Sequence, residues 1–243
     1  MSIDLILCGA SGRLGSEIVK ELENDSSIKL AACVSSKNNP NIGKKISEFA
    51  DSSSDIKLQN SLKEVSKSDV ILDVSSPDFF EEILNFSKSN NVPLIIASTG
   101  HNEEQLKALQ KLSQSIAIMV APNLSMGINF IKNFFNSSSF DSLTNDIEIH
   151  ETHHKDKIDS PSGTAIELKN LLESKNDGLK ISVKSFRDDD SVGTHKIILN
   201  MEDETIEITH SADSRKIFAL GAIEAIKWIQ HQKPGLYLSL IHI

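Results

Sequence analysis

Residues 3–15 read Ile3-Asp4-Leu5-Ile6-Leu7-Cys8-Gly9-Ala10-Ser11-Gly12-Arg13-Leu14-Gly15. A mainly apolar run of strand length enters a Gly-x-x-Gly-x-x-Gly turn. The apolar positions beyond it, Leu14, Ile18, Val19 and Leu22, recur at helical spacing. Strand, glycine turn and helix together form the context in which such glycines carry meaning. Without Cβ atoms the backbone can approach a pyrophosphate, and the helix N-terminus offers N–H groups and the positive end of its dipole. The stretch predicts a dinucleotide site built from Gly9, Ala10, Ser11, Gly12, Arg13 and Leu14, with Gly15 letting the helix pack closely on the strand. The competing reading is a structural tight turn with no ligand.

Working outward, the same rhythm continues. Apolar runs of strand length stand at Leu30 to Val34, Val70 to Val74, Leu94 to Ala97 and Ile116 to Val120. Between several of them lie amphipathic stretches, one with Phe79, Phe80, Ile83, Leu84 and Phe86, another with Leu106, Leu109 and Leu112. Short continuous apolar strands suit a parallel sheet covered on both faces. Alternation with helices predicts an α/β fold, a Rossmann-type doubly wound parallel sheet. Past Pro122 the rhythm changes: a helical stretch Met126 to Phe135, a strand Asn145 to Thr152, a helix from Thr164 to about Glu173, then strands Ile181 to Phe186, Thr194 to Met201 and Thr205 to His210. The last two flank the acidic turn Glu202-Asp203-Glu204 like a hairpin. Strands in series indicate an antiparallel or mixed sheet, so an inserted α+β domain is expected at 124–212. The dinucleotide-binding domain is expected at 1–123 and 213–243, with one helix over Ala212 to Gln230.

Charge narrows the function. Twenty-five Lys and Arg against 34 Asp and Glu leave −9 with His neutral, and aromatics are only 5%. That balance argues against a nucleic-acid binder, which needs a basic surface and, for single strands, stacking platforms. No apolar run reaches membrane-spanning length, and Met1 to Asp4 carries no basic leader. Cys8 and Cys33 cannot form a disulfide scaffold, so a cytoplasmic protein without membrane partners is expected.

An NAD site commonly places Asp or Glu about 20 residues past the glycines, at the end of the second strand, on the ribose 2′-OH. Here that place reads Val34-Ser35-Ser36-Lys37, with no carboxylate. Two readings stay open: Ser36 and Lys37 hold a 2′-phosphate, which favours NADPH over NADH, or they form an exposed loop.

The second informative stretch is Glu151-Thr152-His153-His154-Lys155-Asp156-Lys157-Ile158-Asp159-Ser160-Pro161-Ser162-Gly163-Thr164-Ala165. Four groups that can be cationic fall within five residues of an acidic chain. A helix start follows, with Ser160 or Asp159 as cap, Pro161 in the first turn, and backbone N–H groups and hydroxyls at Ser162-Gly163-Thr164. A small anion would be held there by hydrogen bonds and dipole. His titrates near neutrality, and Lys donates a proton when neighbouring cations lower its pKa. His153 and Lys157 are therefore candidate acids and His154 a substrate ligand. No metal is expected, because adjacent residues of a strand point to opposite faces and His153 and His154 would not share an ion. A solvated charged loop is the plainer alternative.

The run His-His-Lys-Asp-Lys-Ile-Asp-Ser-Pro-Ser-Gly-Thr-Ala at 153–165 resembles the 4-hydroxy-tetrahydrodipicolinate reductase (dihydrodipicolinate reductase) family, whose motif H-H-x-x-K-x-D-[AS]-P-S-G-T-A it matches at every fixed position. Further matches are the glycine loop, Asp73 to Pro77, Ala97-Ser98-Thr99-Gly100, Ala121-Pro122-Asn123-Leu124-Ser125-Met126-Gly127, Val192 to His195 and His210 to Arg215. The resemblance implies NAD(P)H-dependent reduction of 4-hydroxy-tetrahydrodipicolinate to tetrahydrodipicolinate in the diaminopimelate route to lysine. It implies a proton donor/acceptor at His153 and a proton donor at Lys157. It also places His154, Gly163 and Thr164 on the carboxylates of a small dicarboxylate substrate. Gly9 to Leu14, Ala97, Ser98, Thr99, Ala121, Pro122, Asn123 and Leu124 fall where the family binds cofactor, and a homotetramer is implied. The chain departs from the family at Ala97-Ser98, where Gly-Thr is usual, and in a short Glu173 to Phe186 segment.

Overall fold

The computed structural model describes residues 2–240 apart from 145, 156, 158, 177 and 190 and the side chain of 141. Asn145, expected to open a strand, and Asp156 and Ile158 of the 153–165 motif lie outside the described residues. The chain divides into two compact units, Met1–Leu124 with Lys216–Ile243, and Ser125–Arg215.

The first unit runs β1 (Ile3–Cys8), α1 (Arg13–Leu22), β2 (Ile28–Val34), β3 (Leu58–Gln59), β4 (Val70–Asp73), α2 (Phe80–Asn90), β5 (Leu94–Ile96), α3 (Glu103–Leu112) and β6 (Ala117–Val120). The second holds α4 (Met126–Ser137), β7 (Asp146–His154), α5 (Gly163–Glu173), β8 (Lys180–Asp188), β9 (Gly193–Asn200) and β10 (Thr205–Ala212). The chain then returns to the first unit with α6 (Lys216–Ile229) and β11 (Gly235–Leu238).

The first sheet has the order β11-β6-β5-β4-β1-β2-β3, and its pairings are parallel. Alternate residues of β1 enter opposite cores. Leu5 and Leu7 join α1 and α6 on one face, while Ile6 and Cys8 join α2 and α3 on the other. That two-sided burial is why the strands read as continuous apolar runs rather than alternating ones. The order reverses at β1, between β4 and β2, which opens a crevice at the carboxyl ends of these strands. Two strands escaped the periodicity: β3 has only two residues, and β11 reads Gly-Leu-Tyr-Leu after a turn. Helix α6 starts at Lys216 rather than Ala212, because β10 stays paired with β9 as far as Ala212↔Gly193.

The second sheet is mixed, in the order β10-β9-β7-β8. β7 and β8 are parallel, joined through α5, and β9 is antiparallel to both β7 and β10. Burial along β7 alternates strictly, with Ile147, Ile149, Glu151 and His153 inward. On β9 the inward set is Gly193, His195, Ile197 and Leu199. The face is thus apolar at one end, where it packs on Ile131 and Phe135 of α4 and Leu168 and Leu172 of α5, and polar at the other. Among the described residues no helix is long and apolar enough to cross a membrane.

Candidate active site

The polar end of that face holds the titratable cluster. Glu151 has no exposed surface, and His153 and His195 are buried beside it. Strand register brings them together: Glu151 stands opposite His195 on β9 and Ser185 on β8, and His153 opposite Arg187 on β8. His153 Nδ1 donates a hydrogen bond to Glu151 Oε2. Arg187 Nη1 donates to Glu151 Oε1 at 3.1 Å, and its Nη2 donates to the Asp159 carbonyl at 2.7 Å. Burial alone would raise the Glu151 pKa, but bonds from Ser185 and Arg187 and the charge of His153 outweigh it, so the carboxyl sits below its ordinary value. Burial lowers the His153 pKa. Glu151 opposes that, Lys157 and Arg187 reinforce it, and the ring sits below the ordinary histidine value. The imidazole is therefore neutral at pH 7, with Glu151 ionised.

His195 packs edge-on to His153 with ring centroids 5.1 Å apart, and its Nε2 meets Ser162 Oγ at 3.2 Å. Burial, with His153 and His210 nearby, pushes its pKa down to about 4. The ligand-type atoms of Glu151, His153 and His195 lie within 4.8 Å of one another. Both Glu151 oxygens are already engaged, one of them by a guanidinium that repels a second cation. The set is suited to holding protons. His154 projects from the other side of β7 and is half-buried, in keeping with strand alternation.

Lys157 lies in the loop after β7, its N–H bonded to the His154 carbonyl and its Nζ 2.8 Å from Asp159 Oδ1. Asp159 is held below its usual pKa: burial raises it, but Lys157 together with backbone bonds that include Gly163 N–H outweighs burial. A carboxylate therefore already bridges a cation and the N-terminus of α5. That is the arrangement an anionic ligand would need. The helix cap is Ser162, whose Oγ accepts from Ala165 N at 3.2 Å, not Ser160 or Asp159 as the sequence suggested. A Cβ added to Gly163 would meet nothing within 4 Å, so the backbone here is open. Thr164 follows in the first turn.

In the first unit the glycine loop has the shape its sequence requires. Gly9 adopts φ +91°, and a Cβ there would fall 2.8 Å from the Val74 carbonyl oxygen. A Cβ on Gly15 would fall 2.1 Å from the Gly9 carbonyl oxygen. Gly12 caps α1 without a side-chain cap, so the first N–H groups of the helix are not met by a capping side chain. Ala10 is buried, while Gly12 and Arg13 are exposed and Leu14 half-buried. These features fit a pyrophosphate cradle. Ser11 Oγ meets Ser35 Oγ at 3.0 Å and accepts from Asn39 Nδ2 at 2.7 Å. Ser35 stands where an NAD site commonly carries a carboxylate, Asn39 lies just beyond that stretch, and Ser36 and Lys37 are exposed. At the end of β4, Asp73 is fully buried and accepts from Ser75 N at 2.9 Å and Ser98 Oγ at 2.5 Å. Ala97 N also bonds the Asp73 carbonyl, so the Ala97-Ser98-Thr99 loop is tied to β4. Ala121 N bonds the Ile96 carbonyl, and Pro122, Asn123 and Leu124 follow at the same strand ends. Cys8 and Cys33 are buried, and burial drives both thiols up, Cys33 to about 12, so neither is a nucleophile.

Neither Glu151 nor Arg187 stands out in the sequence by residue type or spacing. The available signal was a glutamate at an inward position of an alternating strand, two residues before His153.

Comparison with known proteins follows this division. The family model for the N-terminus of dihydrodipicolinate reductase matches residues 3–124, and that for its C-terminus matches 127–242. The 4-hydroxy-tetrahydrodipicolinate reductase of Wigglesworthia glossinidia brevipalpis is 38% identical over 250 residues, covering 100% of this chain and 93% of that one. The enzyme of the same name from Buchnera aphidicola subsp. Cinara cedri is 34% identical over 259 residues, covering 96% and 94%. Among solved structures, dipicolinate-bound dihydrodipicolinate reductase from Paenisporosarcina sp. TG-14 shares the fold with a TM-score of 0.82 at 23% identity, covering 100% of both chains.

Proposed function

Because the chain belongs to the dihydrodipicolinate reductase family, we propose that it reduces 4-hydroxy-tetrahydrodipicolinate with His153 and Lys157 as its catalytic residues. Family membership makes it an oxidoreductase of lysine biosynthesis that uses a nicotinamide cofactor. The observation that carries the residue assignment is His153 itself, a neutral imidazole anchored through Nδ1 and close enough to Lys157 to feel its charge.

Gly9 to Leu14, Ala97 to Thr99 and Ala121 to Leu124 would hold the cofactor, which when bound supplies a hydride to C4 of the substrate. His154, Gly163 and Thr164 take the substrate carboxylates, replacing the bonds that Asp159 now makes to Lys157 and to the helix N-terminus. A dianionic substrate raises the pKa of a neighbouring imidazole. Binding would therefore move His153 toward its protonated, donating form, while Lys157 stands as a second donor. A coupled assay, with the unstable substrate made in situ and NADPH or NADH consumption followed, tests the activity; no consumption of either overturns it.

NADPH is the favoured cofactor. The end of β2 carries Ser35 and Ser36 with Lys37 exposed beyond them and no carboxylate to repel a 2′-phosphate. One exposed ion pair is worth up to about 1 kcal/mol, so kcat/KM for NADPH should exceed that for NADH about fivefold, and Lys37→Ala should erase the difference. A strong NADH preference would refute this.

A cytoplasmic homotetramer belongs to the same proposal. The strand-rich second unit supports sheet-mediated association, and Met126, Phe130 and Phe134 expose an apolar row on α4. Light scattering should return four chains, and a monomer at assay concentration would refute the assembly.

A further inference from the structure

A carboxylate with no solvent exposure is costly unless its lone pairs are used. Glu151 uses both oxygens, for different neighbours. Oε2 accepts the His153 Nδ1 proton, Oε1 accepts from Arg187 at 3.1 Å, and the Ser185 hydroxyl adds a further bond. None of these is a chance surface contact, because the register of β7 with β8 and β9 sets Glu151 and His153 against their partners.

We propose that Glu151 is the positioning residue of this reaction: pinned by Arg187 on its other oxygen, it holds His153 with the proton on Nδ1 and the lone pair on Nε2. The inference rests on the reading of His153 as the acid–base group. A neutral imidazole has one N–H and one acceptor, and the hydrogen bond made by one nitrogen decides the state of the other. Without an acceptor at Nδ1, the proton populates both nitrogens and the ring is free to turn. Nε2 lies beside Gly193, where a Cβ would approach it to 3.0 Å, so a glycine at that place on β9 leaves the nitrogen its room.

The charged and titratable groups around the ring act in opposite directions. Glu151 on β7 favours the imidazolium. Lys157 in the loop after β7, itself paired with Asp159, and Arg187 on β8 oppose it. His195 on β9, with His210 on β10 behind it, is neutral in the working range. Glu151 and Arg187 are therefore antagonists meeting at one carboxylate, and replacing each should move the same titration in opposite directions. Arg187 also ties the Asp159 carbonyl to the sheet, so its loss should loosen the substrate loop as well.

The test uses the full-length chain with 15N-labelled histidine, which reports tautomer and titration of His153 without any assay, together with the kcat–pH profile. In Glu151→Gln the His153 titration is expected to move to lower pH, the Nδ1–H tautomer to become mixed, and kcat to fall about 10²-fold or more while the substrate KM changes less than about threefold. In Arg187→Gln the titration is expected to move to higher pH with the Nδ1–H tautomer kept, and KM should rise more than kcat falls. A Glu151→Gln protein with the wild-type tautomer, titration and pH profile, altered only in melting temperature, would make Glu151 merely structural and overturn the proposal. Should that variant not fold, Arg187→Gln decides, and a titration unmoved or moved to lower pH overturns it. Full turnover in His153→Gln would sink the functional reading while leaving the tautomer result standing, so the two failures are distinguishable.

Discussion

His153→Gln is expected to lower kcat about 10²- to 10⁴-fold, the usual worth of a positioned general acid–base group, with cofactor affinity and melting temperature nearly unchanged. The choice of glutamine matters. Its amide N–H can still donate to Glu151, so the buried carboxylate keeps a partner and the fold loses little. What disappears is the ring nitrogen that gains and releases the proton. Lys157→Ala should give a loss of similar size, and it also removes the cation opposite Asp159, so KM should move as well. If the two side chains act on one proton inventory, the double variant will cost about as much as the worse single one, not the product. Retention of full turnover by both single variants would show that the chemistry lies elsewhere. A lost melting transition in His153→Gln would instead mark the ring as a packing element.

How far the sequence carries depends on what kind of information each residue holds. The first sheet was legible because its strands are buried on both faces, and Leu5-Ile6-Leu7-Cys8 can be little else beside a glycine turn. β3 was not, since a two-residue strand has no period to detect. The start of α6 lies at Lys216 rather than the expected Ala212 because the pairing of β10 with β9 outlasts the local pattern, and pairing is a tertiary fact. In the site, His153 and Lys157 stood out by residue type. Glu151 did not, because its meaning comes from strand register: an inward glutamate is unremarkable until Arg187, 36 residues later, arrives at the next strand. The cap of α5 moved from the expected Ser160 or Asp159 to Ser162 for a related reason, since Ser162 Oγ is also engaged by His195 across the sheet. Likewise Ser35 and Asn39 bond the Ser11 hydroxyl of the glycine loop and each other, a tertiary contact that no local pattern encodes.

Gly15→Ala is expected to be the most damaging single methyl in the glycine loop. The added Cβ would lie 2.1 Å from the Gly9 carbonyl oxygen, 2.8 Å from Ala10 Cα and 2.8 Å from the Gly9 carbonyl carbon. All three are backbone atoms, so no rotamer change relieves the clash, and either α1 must back away from β1 or the loop must deform. Overpacking of this kind costs about 3 kcal/mol, which at 2–4 °C per kcal/mol for a chain of this length lowers the melting temperature by about 6–12 °C. The functional cost is separate. A displacement near 1 Å in a positioning element can cost about 10²-fold, so the cofactor Kd, read by nucleotide fluorescence titration, should rise by about that factor. Gly12→Ala is the internal comparison: its Cβ meets only the Gly9 carbonyl oxygen, at 3.2 Å, a crowding that a few tenths of an ångström relieve. It should melt close to wild type yet still weaken cofactor binding, because it caps the helix whose N–H groups face the turn. A Gly15→Ala protein that melts and binds nucleotide like wild type would mean that helix and strand do not need their close approach, and the glycine spacing would then be incidental to the site.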